Sequence, residues 1–106
     1  MTIEVGLMPY LNSVLFYLDM PKEGINLHPM VPTTMAKAAR EGFLDAGPIP
    51  LAECFRLEKD FEPLGNFCIA TTKQARSILL FSKKPVEQLE GQTIAITDET
   101  STSGRL

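Results

Sequence analysis

Apolar and polar residues alternate at the start of the chain and then change to a helical spacing. Residues 2–8, TIEVGLM, are rich in β-branched side chains and predict a strand, and residues 25–30, INLHPM, predict a second one. Residues 12–20 between them predict a short helix that Asn12 or Ser13 could cap. The chain therefore begins as strand, helix and strand.

The same order continues through the middle of the chain. The segment PTTMAKAAREG has Thr33 or Thr34 at its start, alanines inside and Gly42 at its end, which predicts a capped helix. FLDAGPIPL predicts a short strand that runs into a proline-containing turn, and residues 51–61 predict a helix of two to three turns. Strands that alternate with helices favour an α/β fold with a mostly parallel sheet and flanking helices.

The C-terminal part of the chain returns to extended patterns. Residues 65–71 and 75–81 predict two strands, residues 86–91 predict one helical turn, and residues 92–99 predict a further strand. This last strand runs into TSTSG, which is a helix-start signal without a helix body after it. We therefore expect either a missing C-terminal portion or a second copy, in a homodimer, to complete the fold.

The composition describes a small globular domain and excludes several classes of partner. The chain has 106 residues, of which 44% are hydrophobic and 22% are charged, enough for a core. A net charge of −3 argues against a nucleic-acid-binding surface. There is no basic, apolar leader at the N-terminus and no apolar run near the ~20 residues of a membrane span. We therefore expect a cytoplasmic protein without a membrane or nucleic-acid partner.

The metal-binding and nucleophilic residue types are few. Cys54 and Cys68 are the only cysteines and His28 is the only histidine, with no spacing that indicates a metal site. We expect two reduced, half-buried thiols, a structural histidine, and neither a metal nor a cofactor. No GxSxG, P-loop or GxGxxG motif is present.

Three turns follow predicted strands, where ligands bind in open α/β sheets. In TDETSTSG, the hydroxyl residues Thr100, Ser101, Thr102 and Ser103 lie at a predicted helix start, where backbone amides and the helix dipole favour an anion. A simple N-cap is the alternative, although it would need only one hydroxyl. This turn is the strongest candidate for binding a carboxylate or phosphate.

The other candidates are each open to two interpretations. In PYLNS, Asn12 is either a ligand contact or a helix cap, and Tyr10 is either a pocket wall or a core aromatic residue with a solvated hydroxyl. In AGPIP, Gly47 permits close backbone approach beside Ile49, as it would in an ordinary turn. Ser77, on an apolar strand face, is either a core hydroxyl or a pocket donor.

Taken together, the motifs resemble a known family. VGLMPYLNSVLFY, EGFLDAGPIPLAE and ARSILLFSKKPVEQLEGQTIAITDETSTSGRL resemble, in this order, the menaquinone-biosynthesis family of the futalosine pathway that contains chorismate dehydratase. Some solute-binding proteins share its type II periplasmic-binding-protein-like fold. The resemblance covers the whole chain but only the front part of a family member. It implies that residues 1–84 belong to a first lobe and that residues 85–106 are a linker and the start of a second.

The resemblance also implies roles for individual residues. Asn12 and Ser77 look like the pocket residues that contact the reacting substrate. Thr102 and Ser103, with Thr100 nearby, look like the pair that holds a carboxylate. Tyr10 belongs to the same pocket, and Gly47 and Ile49 would line its other wall.

The implied function is a carbon–oxygen lyase that removes water from chorismate in a cleft between two lobes. A protein that binds a small carboxylate without catalysis is the alternative. In either case we expect these 106 residues alone to be inactive, because they would form only one wall of the cleft.

Overall fold

Two parallel strands and four short helices make up the regular structure of residues 1–76, 78–99 and 102, which the computed structural model describes. Strand β1 spans Ile3–Leu7 and β2 spans Ile25–Pro29. The helices are a 3-10 helix over Leu11–Phe16, α1 over Pro32–Arg40, α2 over Leu51–Leu57 and a 3-10 turn over Val86–Gln88.

Strand β1 lies in the middle of the sheet and has a neighbour on each side. It pairs in parallel with β2, with Val5 opposite Leu27, and its other edge forms a parallel bridge between Val5 and Ala46. The amide of Gly6 donates to the Ala46 carbonyl at 2.9 Å. The predicted parallel α/β organisation and its first two strands are therefore confirmed.

The predicted third strand is shorter than its pattern indicates. Only Ala46 forms a ladder position, and the chain leaves the sheet in the GPIP turn that follows. Pro48 and Pro50 have no amide hydrogen and could not continue a ladder of hydrogen bonds. Because the strands are parallel, their carboxyl ends lie at one edge of the sheet, and the helices that follow begin there.

Helix α1 packs on β1 through Met35, which is fully buried. A methyl group added to Gly6 would lie 2.8 Å from the Met35 sulfur and 3.2 Å from a Leu44 methyl carbon. The absence of a side chain at Gly6 therefore allows the helix to approach the strand closely. Met8, Met35 and Leu44 form the centre of the core, with Ile49 packed against them.

The ends of α1 follow the prediction only in part. The helix begins at Pro32, in the first-turn position that proline favours, and neither Thr33 nor Thr34 caps it with its side chain. Its end agrees with the sequence pattern, because Gly42 has a φ of +74° and the amide of Phe43 bonds back to the carbonyl of Ala38 at 2.9 Å.

The three strands predicted after residue 64 are not found among the described residues. Residues 65–71, 75–81 and 92–99 contain no strand where they are described, and Phe67, Phe81 and Ile96 have exposed side chains. A strand is stable only when a neighbour completes its hydrogen bonds, and both edges of β1 are already occupied. Alternating sequence alone does not supply that neighbour.

Helix α2 carries a buried acid that pairs with α1, and one of the two thiols. The guanidinium of Arg40 lies 2.7 Å from the carboxylate of Glu53, which is 1% exposed and also has Arg56 at 3.6 Å. The buried acid is therefore compensated by two cations. Cys54 and Cys68 carry free thiols as expected, but both residues are exposed rather than half-buried.

His28 has the structural role that its strand position indicates. Its imidazole bonds to the carboxylate of Glu4 and lies edge-on to the ring of Phe43, with the centroids 4.8 Å apart. The side-chain amide of Asn26 donates to the same carboxylate at 2.9 Å, and the amide of Glu4 donates to Asp45 at 2.8 Å. Polar side chains thus tie β1 to both of its neighbours.

This polar cluster makes the stability of the sheet pH-dependent. Hydrogen bonds from His28, and then from Asn26, lower the pKa of Glu4 below its ordinary value. The stabilisation is therefore complete above the unfolded-state pKa of glutamate and is lost as the pH falls through the lower folded-state value. Glu4→Gln should flatten the acid side of a plot of Tm against pH, whereas Glu23→Gln, in the exposed loop before β2, should not. Equal acid sensitivity of the wild type and Glu4→Gln would contradict this interpretation.

Candidate functional site

The loop after β1 presents the PYLNS residues at the carboxyl edge of the sheet. Its 3-10 helix begins after Tyr10, whose side chain makes no cap, and Asn12 lies inside the helix. The capping interpretation of Asn12 and Ser13 is therefore wrong. Asn12 is exposed and accepts a 3.4 Å hydrogen bond from the hydroxyl of Ser13, which is itself buried. The Asn12 amide is thus displayed to solvent beside the strand end.

Tyr17 holds this loop against the strand. Its hydroxyl donates to the carbonyl of Gly6 at 2.9 Å and accepts from the amide of Met8 at 3.0 Å. One phenol therefore satisfies two backbone groups at the end of β1, where the ladder has stopped. The backbone just before PYLNS is fixed by this contact.

The segment before TSTSG lies over the start of α1. The hydroxyl of Thr33 donates to the carbonyl of Asp98 at 2.6 Å, and the amide of Thr33 donates to the carbonyl of Glu99 at 3.2 Å. First-turn amides of a helix have no partner within the helix, so the Glu99 carbonyl satisfies an amide that would otherwise lack an acceptor. The beginning of α1 thereby fixes the position of residues 98 and 99.

Thr102 makes the corresponding contact with α2. Its half-buried hydroxyl oxygen accepts from the amide of Ala52 at 3.0 Å. In this respect it caps a helix, but the helix is α2 rather than one that follows it in the chain. Thr102 is the one member of the predicted hydroxyl group that the structure describes, because Thr100, Ser101 and Ser103 lie outside the described residues.

Tyr10 joins the first and last of the three predicted turns. Its hydroxyl donates to the carboxylate of Glu99 at 3.4 Å, across 89 residues of sequence. Partial burial, followed by the negative charge of Glu99, raises the pKa of Tyr10 above its ordinary value. The turn after β1 and the segment that leads into TSTSG are therefore in contact.

An open cavity of about 620 Å³ lies against the loop after β1. It is lined by residues 7–11 and by Val14, Tyr17 and Leu18. Most of these side chains are apolar, and the two tyrosines contribute polar groups. Such a surface could accept a ring while polar groups orient it.

The AGPIP turn contributes to the packing near this edge. A methyl group added to Gly47 would lie 3.1 Å from the Met35 sulfur and 3.4 Å from the amide nitrogen of Gly6, so Gly47 is a point of close backbone approach. Ile49 is half-buried and packs on the central core cluster. Ser77, the remaining predicted pocket residue, lies outside the described residues.

Sequence reasoning missed the residues that connect the turns. Three residues contact backbone or side-chain groups that are distant in sequence: Glu99, Thr33 and Tyr17. Local sequence patterns do not predict such contacts. Within residues 1–76, 78–99 and 102, no three His, Cys, Asp or Glu side chains form a set that could hold a metal ion. None of the helices in these ranges combines the length and the apolar character that a membrane span requires.

The parallel strands, the exposed strand-end loop and the hydroxyl contact define a small α/β domain with a candidate site at the carboxyl edge of its sheet. The model of the menaquinone biosynthesis family matches residues 3–106, and the chain belongs to this family. No solved structure matches it.

The two hydrogen bonds of Tyr17 predict a measurable stability effect. Tyr17→Phe leaves a buried amide and carbonyl without their partner, and we expect it to lower the free energy of unfolding by about 1–2 kcal/mol. Tyr10→Phe removes one long, exposed hydrogen bond and should change it by less than about 0.5 kcal/mol. Urea unfolding of both variants measures the difference, and equal losses would contradict the role given to Tyr17.

Proposed function

We propose that this chain belongs to a lyase of the futalosine route to menaquinone, which removes water from chorismate. Two observations support the proposal. The chain is a member of the menaquinone biosynthesis family, and Tyr10 meets the segment that leads into TSTSG. The second observation carries most weight, because it joins two turns that the lyase would need in one site.

The proposal includes a fold of the type II periplasmic-binding-protein-like class. Residues 1–84 would belong to the first lobe, and residues 85–106 would lead into the second. The exposed apolar side chains after residue 64 support it, because they need cover from further structure. The chorismate site would lie in the cleft between the lobes.

The reaction suits a site with few charged groups. Loss of a ring proton and a ring hydroxyl as water leaves an aromatic ring, so the product's stability drives the elimination. The protein would mainly orient the substrate and exclude water. Asn12 and Ser77 would contact the reacting centre, and Thr100, Thr102 and Ser103 would hold a carboxylate. Tyr10, Gly47 and Ile49 would contribute the walls.

A second candidate is a binding protein that holds a small carboxylate without chemistry. One observation favours it: the only histidine of the chain contacts Glu4 and Phe43 on the sheet. That imidazole is engaged in the fold and is a poor choice for the base that the elimination requires.

Replacing Asn12 separates the two candidates. With the second lobe in place, the wild type should consume chorismate, and Asn12→Ala should lower kcat/KM by about 10²-fold, as expected for loss of one preorganised donor. Because Asn12 is exposed, the Tm of the Asn12→Ala variant should differ little from that of the wild type. Asn66→Ala, another exposed asparagine, is the matched control.

The outcomes point to different functions. Chorismate turnover that depends on Asn12 supports the lyase. A ligand-induced rise in Tm without turnover supports the binding protein. If chorismate is not consumed and does not raise the Tm, both candidates are wrong for this ligand.

A further inference from the structure

Glu99 is held in place by its backbone, independently of its side chain. Its carbonyl accepts from the Thr33 amide at 3.2 Å, and its own amide donates to the Thr97 hydroxyl at 3.2 Å. The preceding residue is bound to the Thr33 hydroxyl as well. The carboxylate therefore projects from a fixed point beside the start of α1.

The hydrogen bond between Tyr10 and Glu99 has a definite direction, with Tyr10 as the donor. An ionised carboxylate only accepts hydrogen bonds, so the phenol proton is directed towards Glu99. The phenol oxygen and the carboxylate then both offer lone pairs to anything that lies next to them. A ligand group at this position must donate a hydrogen bond, and a carboxylate group would be repelled.

The Thr102 hydroxyl, in contrast, can still donate a hydrogen bond. Its oxygen already accepts from the Ala52 amide, so its proton is directed away from that amide and can be donated to an acceptor. Tyr10 and Glu99 thus form an acceptor pair, whereas the Thr102 hydroxyl can still donate a hydrogen bond.

We infer that the Tyr10–Glu99 pair determines specificity by selecting a ligand hydroxyl and rejecting a ligand carboxylate. The inference rests on the proposed function and adds an orientation to it. The ring hydroxyl of the substrate points towards Tyr10 and Glu99, and its carboxylates are held away from them. Glu99 acts here as a positioning residue that orients the Tyr10 hydroxyl.

Chorismate and its dehydration product are a matched pair of probes. They share two carboxylates, and they differ by the ring hydroxyl and ring proton that leave as water and by the aromatic ring that results. We expect the wild type to bind chorismate more tightly than the product. Tyr10→Phe should weaken chorismate about threefold or more and leave the product unchanged, because it removes one hydrogen-bond partner of the hydroxyl.

Glu99→Gln should act on the other ligand. It removes a negative charge, which favours both dicarboxylates, and it removes an acceptor for the ring hydroxyl, which only chorismate carries. The product should therefore bind about threefold more tightly, whereas the gain and the loss should offset each other for chorismate. The gain should decrease at high salt, because Glu99 is exposed. Glu62→Gln, an exposed acid on another part of the chain, controls for the change in net charge.

The KM for chorismate and the inhibition constant of the product, measured with the second lobe in place for the wild type and the three variants, decide the question. Kinetic constants are used because the proposed lyase consumes chorismate. The expected result is that Tyr10→Phe and Glu99→Gln both lower the preference for chorismate over the product, the first by weakening chorismate and the second by tightening the product. If both ligands bind but the variants change them equally, the inference is wrong and the proposed function stands. If neither ligand binds the wild type, the proposed function fails and the inference fails with it.

Discussion

The close approach of Met35 to Gly6 is the constraint on which the rest of the structure depends. Gly6 has no side chain, so a fully buried methionine from α1 can lie directly on the central strand. A larger residue in its place would displace the helix or the methionine. The start of α1 would move with it, and that start binds the carbonyls of Asp98 and Glu99.

Hydrogen bonds to otherwise unpaired backbone groups therefore hold the candidate site together as much as contacts between side chains do. The first-turn amides of α1 and α2 require acceptors, and the Glu99 carbonyl and the Thr102 hydroxyl each supply one. The Asp98 carbonyl accepts from the Thr33 hydroxyl as well. Tyr17 does the same for the backbone at the end of β1. These contacts bring together segments that are far apart in sequence, and they leave Tyr10 and Asn12 at the surface.

The local parts of this fold could be predicted from the sequence, and the distant contacts could not. Alternation of apolar residues was enough to find β1 and β2, and Gly42 marked the end of α1. The same alternation failed in the described parts of residues 65–71 and 75–81, because a strand also needs a neighbour that local sequence does not specify. The Tyr10–Glu99 contact spans 89 residues and follows only from the packing of α1 on the sheet.

The central claim is that the turn after β1 and the segment before TSTSG meet at the start of α1. Nuclear Overhauser contacts measure this most directly, between the Tyr10 ring and the Glu99 side chain and between Thr33 and Asp98. The account predicts both contacts in the folded protein. A well-folded protein that shows the β1–β2 contacts but neither of these would contradict it.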